Sequence, residues 1–130
     1  MVSRTPQFER AAQPEDPARF FVERVNAGDI EGLVDLYEPD AILACPDQKF
    51  AIGSDAIRAF YSGLLAQRRQ FEPGRQQPLL RNGDVALTSS RLANGTVTAE
   101  IARRQSDGTW LWAVDQPVVS QSPATTRKTP

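Results

Sequence analysis

The sequence lacks histidine entirely and contains a single cysteine, Cys45. Without histidine, the commonest general base and the commonest metal ligand near neutral pH are missing. A Ser-His-Asp triad or a histidine zinc site therefore cannot form. One cysteine cannot build an internal disulfide framework. We expect no metal and no cofactor at the functional site.

Long apolar runs and an excess of either charge are also missing. No apolar stretch approaches the about 20 residues that a membrane-spanning helix needs, and Met1 to Gln13 contain no apolar signal-peptide core. Lysine and arginine number 15 against 16 aspartate and glutamate residues, without a basic stripe. Nucleic acid, which binds clustered basic residues, is therefore not an expected partner. We expect a cytoplasmic protein with no membrane partner.

The 130 residues suffice for one domain with a real core. Residues 1–13 are polar and contain a proline, which predicts a flexible N-terminal arm. Residues 120–130 are rich in serine, threonine, proline and lysine and predict a flexible C-terminal tail, because they cannot bury enough apolar surface to offset their ordering entropy. The single domain is expected over residues 14–119.

Three helices are predicted in the first half of the chain. The acidic and proline-containing stretch 14–17 is typical of a first helical turn, and Gly28 is placed to end that helix. Asp29 is expected to cap a second helix whose apolar face extends to Tyr37. Ser54 is expected to cap the third helix, which shows one apolar face at helical spacing.

Two short strands are expected between the second and third helices, and strands dominate the second half of the chain. An irregular strand, a hairpin and a meander are expected, with turns at Asn82-Gly83, at Asn94-Gly95 and at residues 106–108. The predicted strands cover residues 41–45, 49–52, 71–81, 84–92, 96–105 and 109–119. Helices first and an antiparallel meander afterwards indicate an α+β fold.

The hairpin turns predict which side chains share a face of the sheet. A two-residue turn at Asn94-Gly95 pairs Leu87 with Ala102 and fixes the alternation. One face then carries apolar walls and a few polar groups, as a ligand pocket does. Alternatively, its tryptophans are core and Arg91 and Glu100 form an ion pair. This face contains Val85, Leu87, Ser89, Arg91, Thr98, Glu100, Ala102, Arg104, Trp110, Trp112, Val114 and Gln116.

The opposite face is expected to be flat, small and moderately apolar. Without a helix left to cover it, it is a candidate homodimer interface through Leu92, Val97, Ile101 and Ala113. Simple alternation also puts Asp115 on this outer face. A β-bulge in the last strand would move Asp115 to the other face.

Several stretches, in order and spacing, resemble the nuclear-transport-factor-2-like superfamily, in its SnoaL-like and ketosteroid-isomerase-like branch. They are Phe21–Asp29, Leu36–Ala41, Gly53–Tyr61 and Asp107–Trp110, and the resemblance covers roughly residues 15–119. It implies a cystatin-like roll, in which three N-terminal helices pack on a curved, mostly antiparallel sheet. The family's cone shape has a pocket at its wide end, and members are often dimeric.

The resemblance does not carry ketosteroid isomerase activity over to this chain. That activity needs a tyrosine and a protonated aspartic acid as oxyanion donors, and a carboxylate base. Phe21, Ala102 and Cys45 respectively stand at those positions, whereas Tyr61 matches a supporting tyrosine. We therefore expect a protein that is not a ketosteroid isomerase.

The expected function is the binding of a small apolar or amphipathic molecule in an apolar pocket. One alternative is a dimeric interaction or assembly module whose pocket is filled by Trp110 and Trp112. Another is an enzyme of the isomerase, cyclase or hydrolase type that uses Glu100 and Arg91. The candidate ligand-binding residues are Phe21, Tyr37, Cys45, Phe60, Tyr61, Arg91, Glu100, Trp112 and Gln116.

Overall fold

The computed structural model describes residues 8–120, and the predicted α+β class is confirmed. The expected arm residues 1–7 and tail residues 121–130 lie outside the described residues. Three helices precede most of the sheet: α1 (Asp16–Asn26), α2 (Ile30–Val34) and α3 (Ser54–Leu65). The strands are β1 (Tyr37–Cys45), β2 (Lys49–Ile52), β3 (Arg75–Gln76), β4 (Leu80–Asn82), β5 (Val85–Thr88), β6 (Ser90–Arg91), β7 (Val97–Arg104) and β8 (Trp110–Ser120).

The sheet runs in the order β2-β1-β8-β7-β5-β4, with β6 paired to β7 and β3. All its pairs are antiparallel except β1 with β8, which are parallel. This parallel pair places β1 between β2 and β8, second from one edge of the sheet. The helices pack on one face of the sheet, where the buried core lies.

The elbow between α1 and β1 forms largely as its sequence predicts. Gly28 adopts φ 71°, the left-handed conformation that a helix-ending glycine favours, and the Asp29 side chain accepts a hydrogen bond from the Gly32 amide at 2.9 Å. The second helix is shorter than expected: Tyr37 begins β1 rather than ending α2. At α3, Gly53 occupies the cap position, and Ser54 is the first helical residue.

Residues 8–13 were expected in the arm, yet part of this segment is packed. Ala11 is buried and forms a β-bridge with Trp110. Arg24 lies over the rings of Phe8 and Phe20 and donates hydrogen bonds to the carbonyls of Glu9 and Gly32. This arginine joins the N-terminal segment to α1 and α2.

The predicted register of the β6–β7 hairpin was wrong by one residue. The turn has three residues, Ala93 to Gly95, closed by a hydrogen bond from the Leu92 amide to the Thr96 carbonyl at 2.7 Å. Gly95 has φ 91°, as the last residue of such a turn requires. A shift of one residue moves every side chain of a strand to the opposite face.

Because of this shift, Ala86, Thr88 and Ser90 point to the buried side, whereas Val85 and Leu87 are exposed. Thr88 pairs with Glu100, and Leu87 pairs with Ile101 instead of Ala102.

A second irregularity lies in β8, where the pairing shifts between Ile101↔Val114 and Ala102↔Trp112. Ala113 is the extra residue of this bulge. Trp112 and Asp115 therefore both face the buried side, and Val114 and Gln116 are exposed, which corrects the expected positions of these last three residues.

The outer face of the sheet also differs from the predicted one. Leu92 turns inward, Ala113 is buried, and Val97 and Ile101 are half-buried. A continuous row of apolar side chains instead crosses six strands in register. Its members, from one edge to the other, are Ile52, Ile42, Val114, Ile101, Leu87 and Leu80.

Candidate functional site

A cavity of about 430 Å³ lies between α1, α3 and the inner face of the sheet. Its wall is mainly apolar and aromatic, with a few polar side chains at the sheet. The lining residues on the helices are Ala18, Arg19, Phe21, Val22, Glu23 and Tyr61. Those on the sheet are Ser90, Leu92, Thr98, Glu100, Trp112, Asp115 and Pro117, and residues between α3 and β4 complete it.

Aromatic side chains from α1, α3, β8 and the segment before β3 form the wall around Phe21. The ring of Phe21 lies 6.1 Å from Tyr61, 5.9 Å from Phe71 and 6.3 Å from Trp112, measured between ring centres. Trp112 also packs edge-on against Tyr37 at 5.3 Å. Trp110 lies outside the lining, buried beside Ala11. The aromatic residues thus line the volume rather than fill it.

Two carboxyl groups share the floor of the cavity. Glu100 in β7 and Asp115 in β8 are paired directly across the ladder, and each is 5% exposed. Directly paired residues have side chains about 5 Å apart on the same face. Neither carboxyl belongs to an ion pair among residues 8–120. The floor therefore carries two acidic groups that accept hydrogen bonds from hydroxyl groups.

Hydroxyl groups from three other elements hold these carboxyls. Thr88 donates to Glu100 Oε1 at 2.7 Å, and Tyr37 donates to Asp115 Oδ2 at 2.6 Å. The Tyr37 and Tyr61 hydroxyl oxygens lie 2.5 Å apart. Since the proton of Tyr37 is directed to Asp115, Tyr61 is the donor in that contact. The chain Tyr61 to Tyr37 to Asp115 fixes the orientation of the aspartate.

The electrostatics of the floor favour protonated carboxyls. Burial, followed by the neighbouring Glu100 charge, raises the pKa of Asp115 from 3.8 to about 7, although the hydrogen bond from Tyr37 acts in the opposite direction. Burial also raises the pKa of Glu100, against the hydroxyls of Thr98 and Thr88. A carboxyl that titrates near neutral pH can both give and take a proton.

Eight of the nine candidate residues from the sequence fall into three groups. Phe21, Tyr61, Glu100 and Trp112 line the cavity. Tyr37 lies behind the wall and reaches the site through Asp115; Phe60 packs on Tyr61 with ring centres 5.2 Å apart. Arg91 and Gln116 are exposed and do not line the cavity, because of the hairpin shift and the β8 bulge.

Cys45 is half-buried near the end of β1, and its thiol donates to the Leu43 carbonyl at 3.6 Å. Burial raises the pKa of this thiol, which keeps it neutral. Its side chain is therefore a small apolar group rather than an activated nucleophile. Among residues 8–120, no three acidic or cysteine side chains come together as a metal site would require.

Sequence reasoning missed Asp115, Thr88 and Ser90 as site residues. The bulge that turns Asp115 inward has no strong local signal, since Ala113 is neither glycine nor proline. The hairpin gave a usable signal: glycine at the third position of Ala93-Asn94-Gly95 fits a three-residue loop as well as Asn94-Gly95 fits a two-residue loop.

None of the described helices is both long and apolar enough to span a membrane. No curated protein matches the chain by sequence. Among solved structures, the chain is similar to a ketosteroid isomerase-like protein from Erwinia carotovora atroseptica, with a TM-score of 0.61 and 20% identity over 78% of this chain and 89% of that one.

Two further solved structures share the architecture. A protein of unknown function with a cystatin-like fold from Nostoc punctiforme has a TM-score of 0.65 and 16% identity, over 85% of this chain and 91% of that one. A proposed dehydratase of the NTF2-like family from Streptomyces avermitilis has a TM-score of 0.58 and 17% identity, over 80% of this chain and 93% of that one. At these identities the likeness establishes the cystatin-like fold.

The family assignment rests on a match over most of the domain. Residues 18–119 match the SnoaL-like domain family. This range contains all three helices except the first two residues of α1, the whole sheet up to Val119, and both floor carboxyls. The chain therefore belongs to the SnoaL-like domain family.

Proposed function

We propose that this protein binds a small, mostly apolar molecule in the cavity and transfers protons between that molecule and the pair Glu100 and Asp115. The observation that carries the proposal is the position of two buried, directly paired carboxyls on the floor of an apolar cavity. A volume of about 430 Å³ falls in the range of ligand sites.

Proton transfer is the chemistry that the pair supports best. Two like charges side by side in a buried site cannot both form cheaply, so one proton stays on the pair near neutral pH. The ionised member accepts a proton from the substrate while the protonated member gives one to it. The pair therefore holds one proton before and after the reaction. Isomerisation and the elimination of water both need this combination of one base and one acid.

Similar proteins agree with this type of reaction without specifying it. One solved neighbour is described as ketosteroid isomerase-like and another as a proposed dehydratase. The chain differs from the isomerase pattern at Phe21, Cys45 and Ala102, so its acid and base would be different residues. Asp115 and Glu100 replace the pair Glu100 and Arg91 that the sequence suggested.

Binding is tested with the uncharged fluorescent probe N-phenyl-1-naphthylamine. We expect saturable binding of one probe per chain, abolished by Ala18→Trp, which places an indole in the cavity. Ala59→Trp, on the exposed side of α3, is the matched control and should bind as the wild type does. Equal binding by both variants would place the probe elsewhere and refute the cavity as the ligand site.

Proton transfer is tested with 5-nitrobenzisoxazole, an uncharged bicyclic carbon acid. A base takes its C–H proton, the N–O bond breaks, and a coloured cyanophenolate forms, so no other reactant is needed. We expect catalysis that drops by about 100-fold in Glu100→Gln or Asp115→Asn, within the usual contribution of a general base. Glu38→Gln, a carboxyl outside the cavity, is the control. Unchanged rates in both floor variants would exclude the proposed role.

We also propose a homodimer through the outer face of the sheet. The apolar row from Ile52 to Leu80 crosses this face over six neighbouring strands, from β2 to β4. Ile42, Leu87 and Leu80 in that row are respectively 40%, 44% and 70% exposed. A stable dimer needs an interface above about 1,000 Å² in total, which a whole sheet face can supply. Sedimentation should give a dimer for the wild type and for Ala59→Lys, but a monomer for Leu87→Lys. A wild-type monomer at micromolar concentration would contradict the dimer.

A further inference from the structure

The hydrogen-bonding capacity left open at the cavity floor specifies the chemistry of the ligand. Asp115 Oδ2 receives the Tyr37 proton, whereas Oδ1 has no donor among residues 8–120. Glu100 Oε1 receives the Thr88 proton, and the Thr98 hydroxyl lies nearby. Hydroxyl donors favour the ionised form of the carboxyl that accepts them. Glu100 has two such hydroxyls and Asp115 has one, so Glu100 is the natural acceptor of the pair and Asp115 the natural holder of a shared proton.

A carboxyl pair with one proton offers a ligand one acceptor and one donor. A hydroxyl group complements both, since it can donate to the carboxylate and accept from the carboxylic acid. A carbonyl can only accept, and an ammonium group can only donate. A carboxylate would place a third acidic group beside the pair and would be repelled.

The rest of the wall suits an uncharged ligand body. Around the floor the lining is made of Phe21, Val22, Phe71, Leu92, Trp112 and Pro117. Arg19, the one cationic lining residue among residues 8–120, stands between two acidic side chains of its own helix, 3.5 Å from Asp16 and 3.6 Å from Glu23. Glu23 and Glu72 add acidic groups to the lining. The charges of the cavity therefore disfavour anions from the rim to the floor.

We propose that the ligand is an apolar alcohol, bound with its hydroxyl group between Glu100 and Asp115 and its hydrocarbon body against the aromatic wall. This inference rests on the proposed function and narrows it to a substrate class. The hydroxyl lies where the acid member of the pair can protonate it. In an elimination, the C–O bond then breaks, water leaves, the base takes a proton from the adjacent carbon and a C=C bond forms.

A matched ligand series separates this inference from the proposed function. The probes are 2-(1-naphthyl)ethanol, 2-(1-naphthyl)ethylamine, the carboxylate 1-naphthaleneacetate and 1-ethylnaphthalene. They share one ring system and differ in the terminal group. Their dissociation constants are measured at pH 7 by displacement of N-phenyl-1-naphthylamine from the full chain. We expect the alcohol to bind about tenfold tighter than the hydrocarbon and about 100-fold tighter than the acid.

Two variants assign the preference to the floor. Glu100→Gln should remove most of the tenfold advantage of the alcohol and weaken the rejection of the acid, because it removes the charged acceptor of the pair. Asp115→Asn leaves that charge in place and should preserve the rejection of the acid. Glu38→Gln should leave the wild-type order unchanged. The wild-type series alone decides the proposal if either floor variant fails to fold.

Each remaining outcome has a definite meaning. Equal binding of alcohol and hydrocarbon, or tighter binding of the amine or the acid, overturns the alcohol proposal while the cavity remains a ligand site. A failure of all four compounds and of the fluorescent probe overturns the proposed function together with this inference.

Discussion

The raised pKa of Asp115 makes a quantitative prediction about stability. In the unfolded chain this carboxyl loses its proton near pH 3.8, whereas in the folded protein it does so near pH 7. Between these values the folded state holds more protons than the unfolded state, so raising the pH favours unfolding. The contribution of a protonated Asp115 is therefore complete below about pH 4 and is lost as the pH rises to about 7.

The size of the effect follows from the same two values. A pKa raised from 3.8 to about 7 corresponds to about 4 kcal/mol of unfolding free energy. Typical domains are stable by only about 5–15 kcal/mol, so the effect is easily measured. Asp115→Asn removes the titration and keeps an oxygen that can accept the Tyr37 proton. Relative to the wild type, this variant should gain about 4 kcal/mol between pH 4 and pH 8.

Urea unfolding followed by tryptophan fluorescence at several pH values measures the difference. Asp40→Asn, an exposed carboxyl on β1, is the control and should follow the wild type at every pH. Parallel curves for wild type and Asp115→Asn would refute the reasoning, because a buried carboxyl with this pKa must couple to folding. Carbon-13 NMR should also show a lower Asp115 pKa in Glu100→Gln, since the Glu100 charge raises it.

Tyr37→Phe should raise the pKa of the buried aspartate further, because the Tyr37 hydrogen bond lowers it; NMR titration measures the change. Gly32→Ala should destabilise the protein by about 2 kcal/mol, as its added Cβ would lie 2.3 Å from the carboxylate that caps α2; thermal unfolding compares it with Gly63→Ala, which has open space. Asn26→Ala should speed hydrogen exchange at Phe71, since the Asn26 side chain both donates to and accepts from that backbone at 2.8 Å.

Contrary results would be equally specific. An unchanged pKa in the tyrosine variant would remove the hydroxyl chain from the electrostatics of the floor. Equal melting temperatures for the two glycine variants would show that the turn before α2 can relax around a methyl group. Unchanged exchange at Phe71 would mean that other contacts hold the segment beside the cavity mouth.

Local sequence signals identified the elements because their causes are local. Gly28 ends α1 because a residue without a Cβ adopts a positive φ easily. The Asp29 carboxylate accepts a hydrogen bond from the Gly32 amide, three residues later in the chain. The apolar spacing of α3 likewise marks its buried face without reference to the sheet. These features involve residues a few positions apart. The structure reproduces them with a shift of one residue at the start of α3 and of three residues at the end of α2.

The composition of the site was harder to predict because it depends on two single-residue events in the sheet. One extra residue in the β6–β7 turn turned Arg91 outward and Thr88 inward. One extra residue at Ala113 turned Gln116 outward and brought Asp115 beside Glu100. The side-chain period of a strand is two, so each event exchanges the complete set of residues on a face.

The sequence by itself determined the class of fold, the three helices, the absence of histidine chemistry and the membership of Glu100, Trp112, Phe21 and Tyr61 in one region. Only the tertiary structure decided that Asp115 is the partner of Glu100. The physical reason is that helix caps and turns are set by neighbouring residues, whereas strand register is settled by packing across the whole sheet. The bulge at Ala113 is a feature of this kind, and it puts Trp112 and Asp115 both on the buried face.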